Sequence, residues 1–216
     1  MRTRGRHVTF VTLIVVATIL ILSPGRLITP VQAEAEAALP RAPPLFTSTE
    51  EAEPTLAWTN FCERLPAECN IDQSEPEKIS LTPDIWRTLV FVNEHVNATI
   101  KPMTDQAHWG VVDRWDYPDD GYGDCEDFQL LKRKLLIEEG LPRRALRMTV
   151  VLDQARAGHA VLMARTDRGD FILDNQRSSV LPWGDTGYEF IKREGVEGRS
   201  WLTLSPHPAP VVTANR

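Results

Sequence analysis

A chain of 216 residues with 42% hydrophobic and 25% charged residues is long enough for one domain with a continuous core. Its net charge of −6 argues against a nucleic-acid partner, because phosphates are met by clustered Lys and Arg. An acidic surface suits a solvated exported protein, or one that binds a hard cation.

The chain opens with basic residues up to Arg6 and an apolar run from Val8 to Leu22, too short for a spanning helix. Pro24 and Gly25 break it, and Val31-Gln32-Ala33 offers a small-residue cleavage site, with Ala35 serving almost as well. Residues 1–33 are therefore expected to be a cleaved signal peptide, the alternative being an uncleaved anchor. Four of the 24 basic residues and none of the 30 acids precede Glu34, so cleavage takes the net charge from −6 to −10. Residues 34–54, rich in Ala, Pro and Glu, read as a flexible lead-in, and the domain is expected over 55–204. Cys62 and Cys69 lie close together, and in an oxidising compartment such a pair closes a small disulfide loop.

Thr82-Pro83-Asp84 is a helix start, and Ile85, Leu89, Val92 and Val96 recur at helical spacing to about Ile100. The stretch from Lys101 to Gly123 is polar, aromatic and rich in turn residues. A second helix is expected from Cys125 to Glu139, with Phe128, Leu131, Leu135 and Ile137 or Leu136 as its apolar face, stopped by Gly140 and Pro142. Strands follow at Ala145–Leu152, His159–Thr166 and Phe171–Asp174, the last two joined by a tight turn at Asp167-Arg168-Gly169-Asp170. Trp183 to Val196 reads as loop with a short helix, Ser200 to Leu204 as a last strand, and 205–216 as a loose tail. Helices followed by an antiparallel meander make an α+β domain.

Cys125 is the odd cysteine, at a helix start where the dipole favours an anion. His159 opens one strand and Asp174 closes its hairpin partner, so the turn should set them side by side. A helix packed across the sheet would then bring the sulfur to His159, beside an open groove. Such a row suits thiol catalysis. The thiolate attacks, the imidazole moves protons and the carboxylate orients the ring. Asp124 and Glu126 flank the cysteine and would repel a thiolate, unless the helix N-cap or a bound cation takes up their charge.

DRWDYP, GYGDCEDFQLLKRKLL, GLP and GHAVLMARTDRGDFILDN, over roughly Asn60 to Trp201, resemble the bacterial transglutaminase-like cysteine proteinases, whose best-known members are the LapG-type periplasmic proteases. The resemblance implies a papain-like, transglutaminase-type fold with N-terminal helices on an antiparallel sheet, and a triad of Cys125, His159 and Asp174. It implies a Ca²⁺ requirement met by Asp124 and Glu126, with Asp127 or Asp113 as helpers. It further implies a periplasmic enzyme that cuts the N-terminal region of a large surface adhesin next to paired alanines, controlling biofilm attachment, and an inner-membrane cyclic di-GMP receptor as partner. Two other readings keep the same residues: a transglutaminase-like acyl transferase, and a non-catalytic calcium-responsive binding module.

Overall fold

The computed structural model describes residues 39–43, 45 and 50–204; the expected signal peptide and C-terminal tail lie outside them. The elements in chain order are β1 (Glu51–Ala52), α1 (Leu56–Arg64), α2 (Pro83–Thr99), β2 (Lys101–Pro102), α3 (Asp105–His108), β3 (Tyr122–Gly123) and α4 (Cys125–Glu138). Strands β4 (Leu146–Leu152), β5 (Gly158–Thr166), β6 (Gly169–Asp174), β7 (Arg177–Pro182), β8 (Glu189–Glu194) and β9 (Trp201–Thr203) follow. Seven strands form one sheet in the order β1-β9-β8-β4-β5-β6-β7, with every neighbouring pair antiparallel. The architecture is α+β, with helices packed on an antiparallel sheet.

Alternation along the strands divides the core in two. Leu146, Met148 and Val150 of β4, Leu162 and Ala164 of β5, and Phe171 and Leu173 of β6 join the main core with α1, α2 and α4. Val151, Val161, Met163 and Ile172 point to the opposite face and join Leu45, Phe190 and Leu204. Leu39 and Leu45 of the lead-in are themselves buried, and the Ala42 N–H donates to Arg168 O at 2.8 Å, so part of that segment packs on the domain. Gly169 makes this approach feasible, since a Cβ there would lie 2.1 Å from Ala42 O.

Helix α1 opens the domain in a segment for which the sequence suggested no helix. Thr55 caps it by accepting from the Trp58 N–H at 3.2 Å. Ala57, Trp58, Phe61 and Cys62 turn inward. Trp58 meets Trp115 and Trp201 edge-on, at 5.4 and 6.0 Å between ring centroids. Cys62, on this helix, is disulfide-bonded to Cys69 in the following 3-10 turn. Replacing both cysteines by alanine is expected to lower the unfolding free energy by about 2–3 kcal/mol, the range for so short a loop, as measured by urea denaturation.

Two expectations are corrected and one strand is added. The stretch Trp183–Val196 holds only a 3-10 turn, Trp183–Asp185, before strand β8. Strand β7, in a stretch for which the sequence carried no expectation, forms one edge of the sheet. The inward face of α4 is also more polar than its leucines suggest: Gln129, Lys132 and Arg133 are buried with Phe128, Leu130 and Leu136, whereas Leu131 and Leu135 are half-buried. Tertiary partners account for two of those polar groups. Gln129 Nε2 donates to Asn175 Oδ1 at 3.3 Å, and Arg133 Nη1 reaches Glu194 Oε2 at 3.3 Å.

Candidate active site and acidic cluster

Cys125 is the first residue of α4, and Asp124 is its N-cap. The cysteine sulfur accepts from the Ala160 N–H at 3.4 Å, which fixes the helix start against β5 at the residue after His159. His159 Nε2 lies 2.8 Å from Asp174 Oδ1 at the end of β6. The sulfur is held beside the same imidazole by the backbone of the next residue, and it interacts electrostatically with the ring. The structure thus brings Cys125, His159 and Asp174 into one row. All three are buried, at 0, 0 and 1% exposure, in place of the open groove that was expected. With Nε2–H donated to the carboxylate, Nδ1 is the nitrogen left to exchange a proton with the sulfur. The Gln176 side-chain amide also approaches Nδ1, at 3.4 Å.

Asp174 is anchored on every side. Its backbone N–H donates to Asn93 Oδ1 on α2 at 3.0 Å, and its Oδ1 also accepts from the Gln176 N–H at 2.9 Å. The Tyr188 hydroxyl donates to Oδ2 at 2.6 Å. Burial disfavours the Asp174 anion, but the His159 hydrogen bond and charge, with Tyr188, hold the carboxyl below its usual value. Burial likewise opposes the His159 cation, but the hydrogen bond to Asp174 and the interaction with the Cys125 sulfur push the imidazole up to about 10. The ring is therefore disposed to carry a proton.

Beside this row lies an acidic cluster. Carboxylate oxygens of Asp105, Asp124 and Glu126 come within 4.8 Å of one another, and all three residues are buried. Burial pushes Asp124 up to about 7, and the charge of Asp105 adds to it. Glu126 rises well above its usual value through burial, then through the Cys125 and Asp124 charges. Asp113, raised to about 6 by burial, faces Glu126. Asp124 Oδ1, Glu126 Oε1 and Asp113 Oδ1 are buried without a hydrogen-bond partner. Several carboxyl groups converging in one buried place suit a hard cation such as Ca²⁺, which takes oxygen ligands and would hold them ionised. Glu126 also reaches the other way, accepting from the Cys125 thiol at Oε2, 3.1 Å from the sulfur.

Asp127 has a separate task. It closes a capping box with Asp124 and accepts from the Asp116 N–H at 2.8 Å, so its oxygens face backbone donors. Gly123 is required for this closure, since a Cβ there would stand 2.7 Å from Asp127 Cβ.

Sequence reasoning missed Asp105 and Tyr188. Asp105 sits on the four-residue helix α3, held by the Asp124 side chain, whose Oδ2 accepts from the Asp105 N–H at 3.3 Å. Its only sequence signal was Thr104 before it as an N-cap. Tyr188 immediately precedes β8, in the stretch read as loop, and carried no signal.

The sequence model of the bacterial transglutaminase-like cysteine proteinase BTLCP matches residues 48–208. Among solved structures, calcium-bound LapG of Legionella pneumophila is similar at 24% identity and a TM-score of 0.50, over 72% of this chain and 81% of that one. Legionella pneumophila LapG in two further forms, one EGTA-treated, is similar at 27% identity and a TM-score of 0.48, over 68% of this chain and 76% or 74% of the other. Comparison with curated proteins finds no match.

Proposed function

Because this chain belongs to the bacterial transglutaminase-like cysteine proteinases, we propose that it is a calcium-dependent periplasmic endopeptidase in which Cys125, His159 and Asp174 do the chemistry. The observation that carries the reading is the row itself: imidazole and carboxylate 2.8 Å apart, with the sulfur bonded to the backbone N–H of the residue after the imidazole.

The steps follow from those positions. The Cys125 thiolate attacks a peptide carbonyl, and the carbonyl oxygen takes the negative charge. The Cys125 N–H, in the first turn of α4, has no intrahelical partner and is a natural donor to that oxygen. The His159 imidazolium gives its proton to the leaving amine as the C–N bond breaks, which leaves an acyl-thioester. A water molecule then loses a proton to the imidazole and attacks the thioester, releasing the acid and restoring the thiolate–imidazolium pair. Asp174 keeps the ring oriented throughout. Asp105, Asp124 and Glu126 would hold Ca²⁺, with Asp113 beside them, and the ion would offset the acids next to the nucleophile.

The substrate in this reading is the N-terminal region of a large surface adhesin, cut next to paired alanines to release the cell from a biofilm. The partner is an inner-membrane receptor that senses cyclic di-GMP. Its support is the family membership and the motif blocks around Cys125, His159 and Asp174. The test is incubation of the purified protein with Ca²⁺ and an N-terminal fragment of the largest surface adhesin of the same genome. One cut beside a paired alanine, blocked by EGTA and by iodoacetamide, is the expected result. An intact fragment together with cleaved casein would remove the adhesin and keep the peptidase; no cleavage of either would remove both.

A further inference from the structure

The Asp174 carboxylate has two ends, and the triad uses one of them. Oδ1 meets His159, while Oδ2 accepts from the Tyr188 hydroxyl at 2.6 Å, among the shortest hydrogen bonds around this row. The Tyr188 ring also meets the His159 ring edge-on, with centroids 5.7 Å apart. One side chain therefore touches both His159 and Asp174.

The direction of that hydrogen bond follows from the ionised Asp174, which can only accept, and is reinforced by Arg177, the first residue of β7. A tyrosine hydroxyl has one proton and can also accept. Arg177 can only donate, and its Nε approaches the hydroxyl oxygen at 3.4 Å while its guanidinium lies over the ring, 5.3 Å from the centroid. With a donor on the oxygen, the hydroxyl proton is turned toward Asp174. Arg177 is itself held by the Thr186 carbonyl, which accepts from Nη2 at 3.0 Å, and the Thr186 hydroxyl accepts from the Tyr188 N–H at 3.2 Å. The β7–β8 connection thus closes on itself around this contact.

We propose that Tyr188 is a positioning residue of the active site: its hydroxyl, aimed by Arg177, grips the outer oxygen of Asp174 and so limits how tightly Asp174 holds the His159 proton. The physical reason is competition. A carboxylate that already accepts a strong hydrogen bond has less negative charge to offer the ring. Burial and the neighbouring carboxylate push the Tyr188 hydroxyl up, so it keeps its proton and remains a donor. His159 has to release its proton to the leaving amine in every turnover, and an Asp174 left with only the Gln176 N–H and the nearby Lys132 and Arg177 charges would hold that proton more tightly.

The inference rests on the triad reading, and its test is independent of proteolysis. The protein carrying Cys125→Ala is titrated by NMR, following the ring proton of His159, assigned by its loss on His159→Gln. Adding Tyr188→Phe, which keeps the ring and removes only the donor, should raise the His159 midpoint by about 0.5–1 pH unit. Arg177→Met, which removes the second donor on the hydroxyl and also a cation 4.0 Å from Asp174 Oδ2, should move it in the same direction. A merely structural role would lower the melting temperature and leave the midpoint in place. A midpoint that is unmoved or lower in Tyr188→Phe overturns the inference, whereas retention of peptidase activity by Cys125→Ala would overturn the triad reading instead.

Discussion

Cys125→Ala is expected to lower kcat/KM for a cleaved peptide by ~10⁴-fold or more, which corresponds to about 5 kcal/mol of transition-state stabilisation. No other group in the row can form the acyl bond, so what remains is catalysis by positioning and oxyanion contacts alone. His159→Ala should cost about as much. The double variant should be little worse than either single one, because residues that act as a unit are not additive. Asp174→Asn should cost less, roughly 10²–10⁴-fold, since the ring keeps a neighbour but loses its counter-charge. The fold is not at risk in Cys125→Ala, because Cys125 and Ala160 form a small buried cluster of their own, apart from both main cores. Circular dichroism and the melting temperature check this. Activity of Cys125→Ala within tenfold of the parent protein would end the nucleophile assignment.

The second large effect concerns the acidic cluster. Ca²⁺ at a hundredfold excess over its dissociation constant should stabilise the fold by about 2.7 kcal/mol, a rise in melting temperature of roughly 5–10 °C for a domain of this size. The carboxylates explain both the size and a change of sign in the variants. Without a cation, Asp105, Asp124 and Glu126 are buried next to one another, and burial raises all three. Asp105→Asn or Asp124→Asn removes one of these opposed charges. Each variant should melt higher than the parent protein in EGTA and lose most of the Ca²⁺-dependent rise. Differential scanning calorimetry with and without Ca²⁺ reads both quantities. A parent protein whose melting temperature ignores Ca²⁺, or variants that respond to it as fully as the parent, would contradict the assignment.

The two expectations draw on opposite ends of what a sequence can reveal. GDCEDF puts a cysteine at a helix start with acids on both sides, and every residue needed to see that is local. GHAVLMARTDRGDFILD encodes a hairpin whose turn forces His159 and Asp174 together, as the pairing of Thr166 with Gly169 and Leu162 with Leu173 shows. Asp105 is different. It stands nineteen residues before Asp124, in a polar stretch with several other acids, and only the docking of α3 selects it.

Strand β8 shows why some elements were illegible. Glu189-Phe190-Ile191-Lys192-Arg193-Glu194 carries charge at four of six positions and reads as a solvated segment. In the fold, Glu194 is buried between Arg133 of α4 and Arg143, with which it forms ion pairs, and it accepts from the Met148 N–H at 3.3 Å. A charged residue enters a core only when its partners arrive from elsewhere in the chain, and a window of sequence does not contain them. Strand β7 was missed for a simpler reason. An edge strand of Arg, Ser, Ser, Val, Leu and Pro has little of the β-branched, alternating character of an interior strand.

By itself, the sequence determined α2, α4, the β5–β6 hairpin, the pairing of Cys62 with Cys69 and the three residues of the row, because caps, periodicity and turn chemistry act over short distances. Only the tertiary structure decided that Asp105 joins Asp124 and Glu126 beside the sulfur, which basic residues α4 buries, and that Tyr188 and Arg177 close around Asp174. Those contacts join segments far apart in the chain, and their energy comes from desolvated partners that exist only once the helices lie on the sheet.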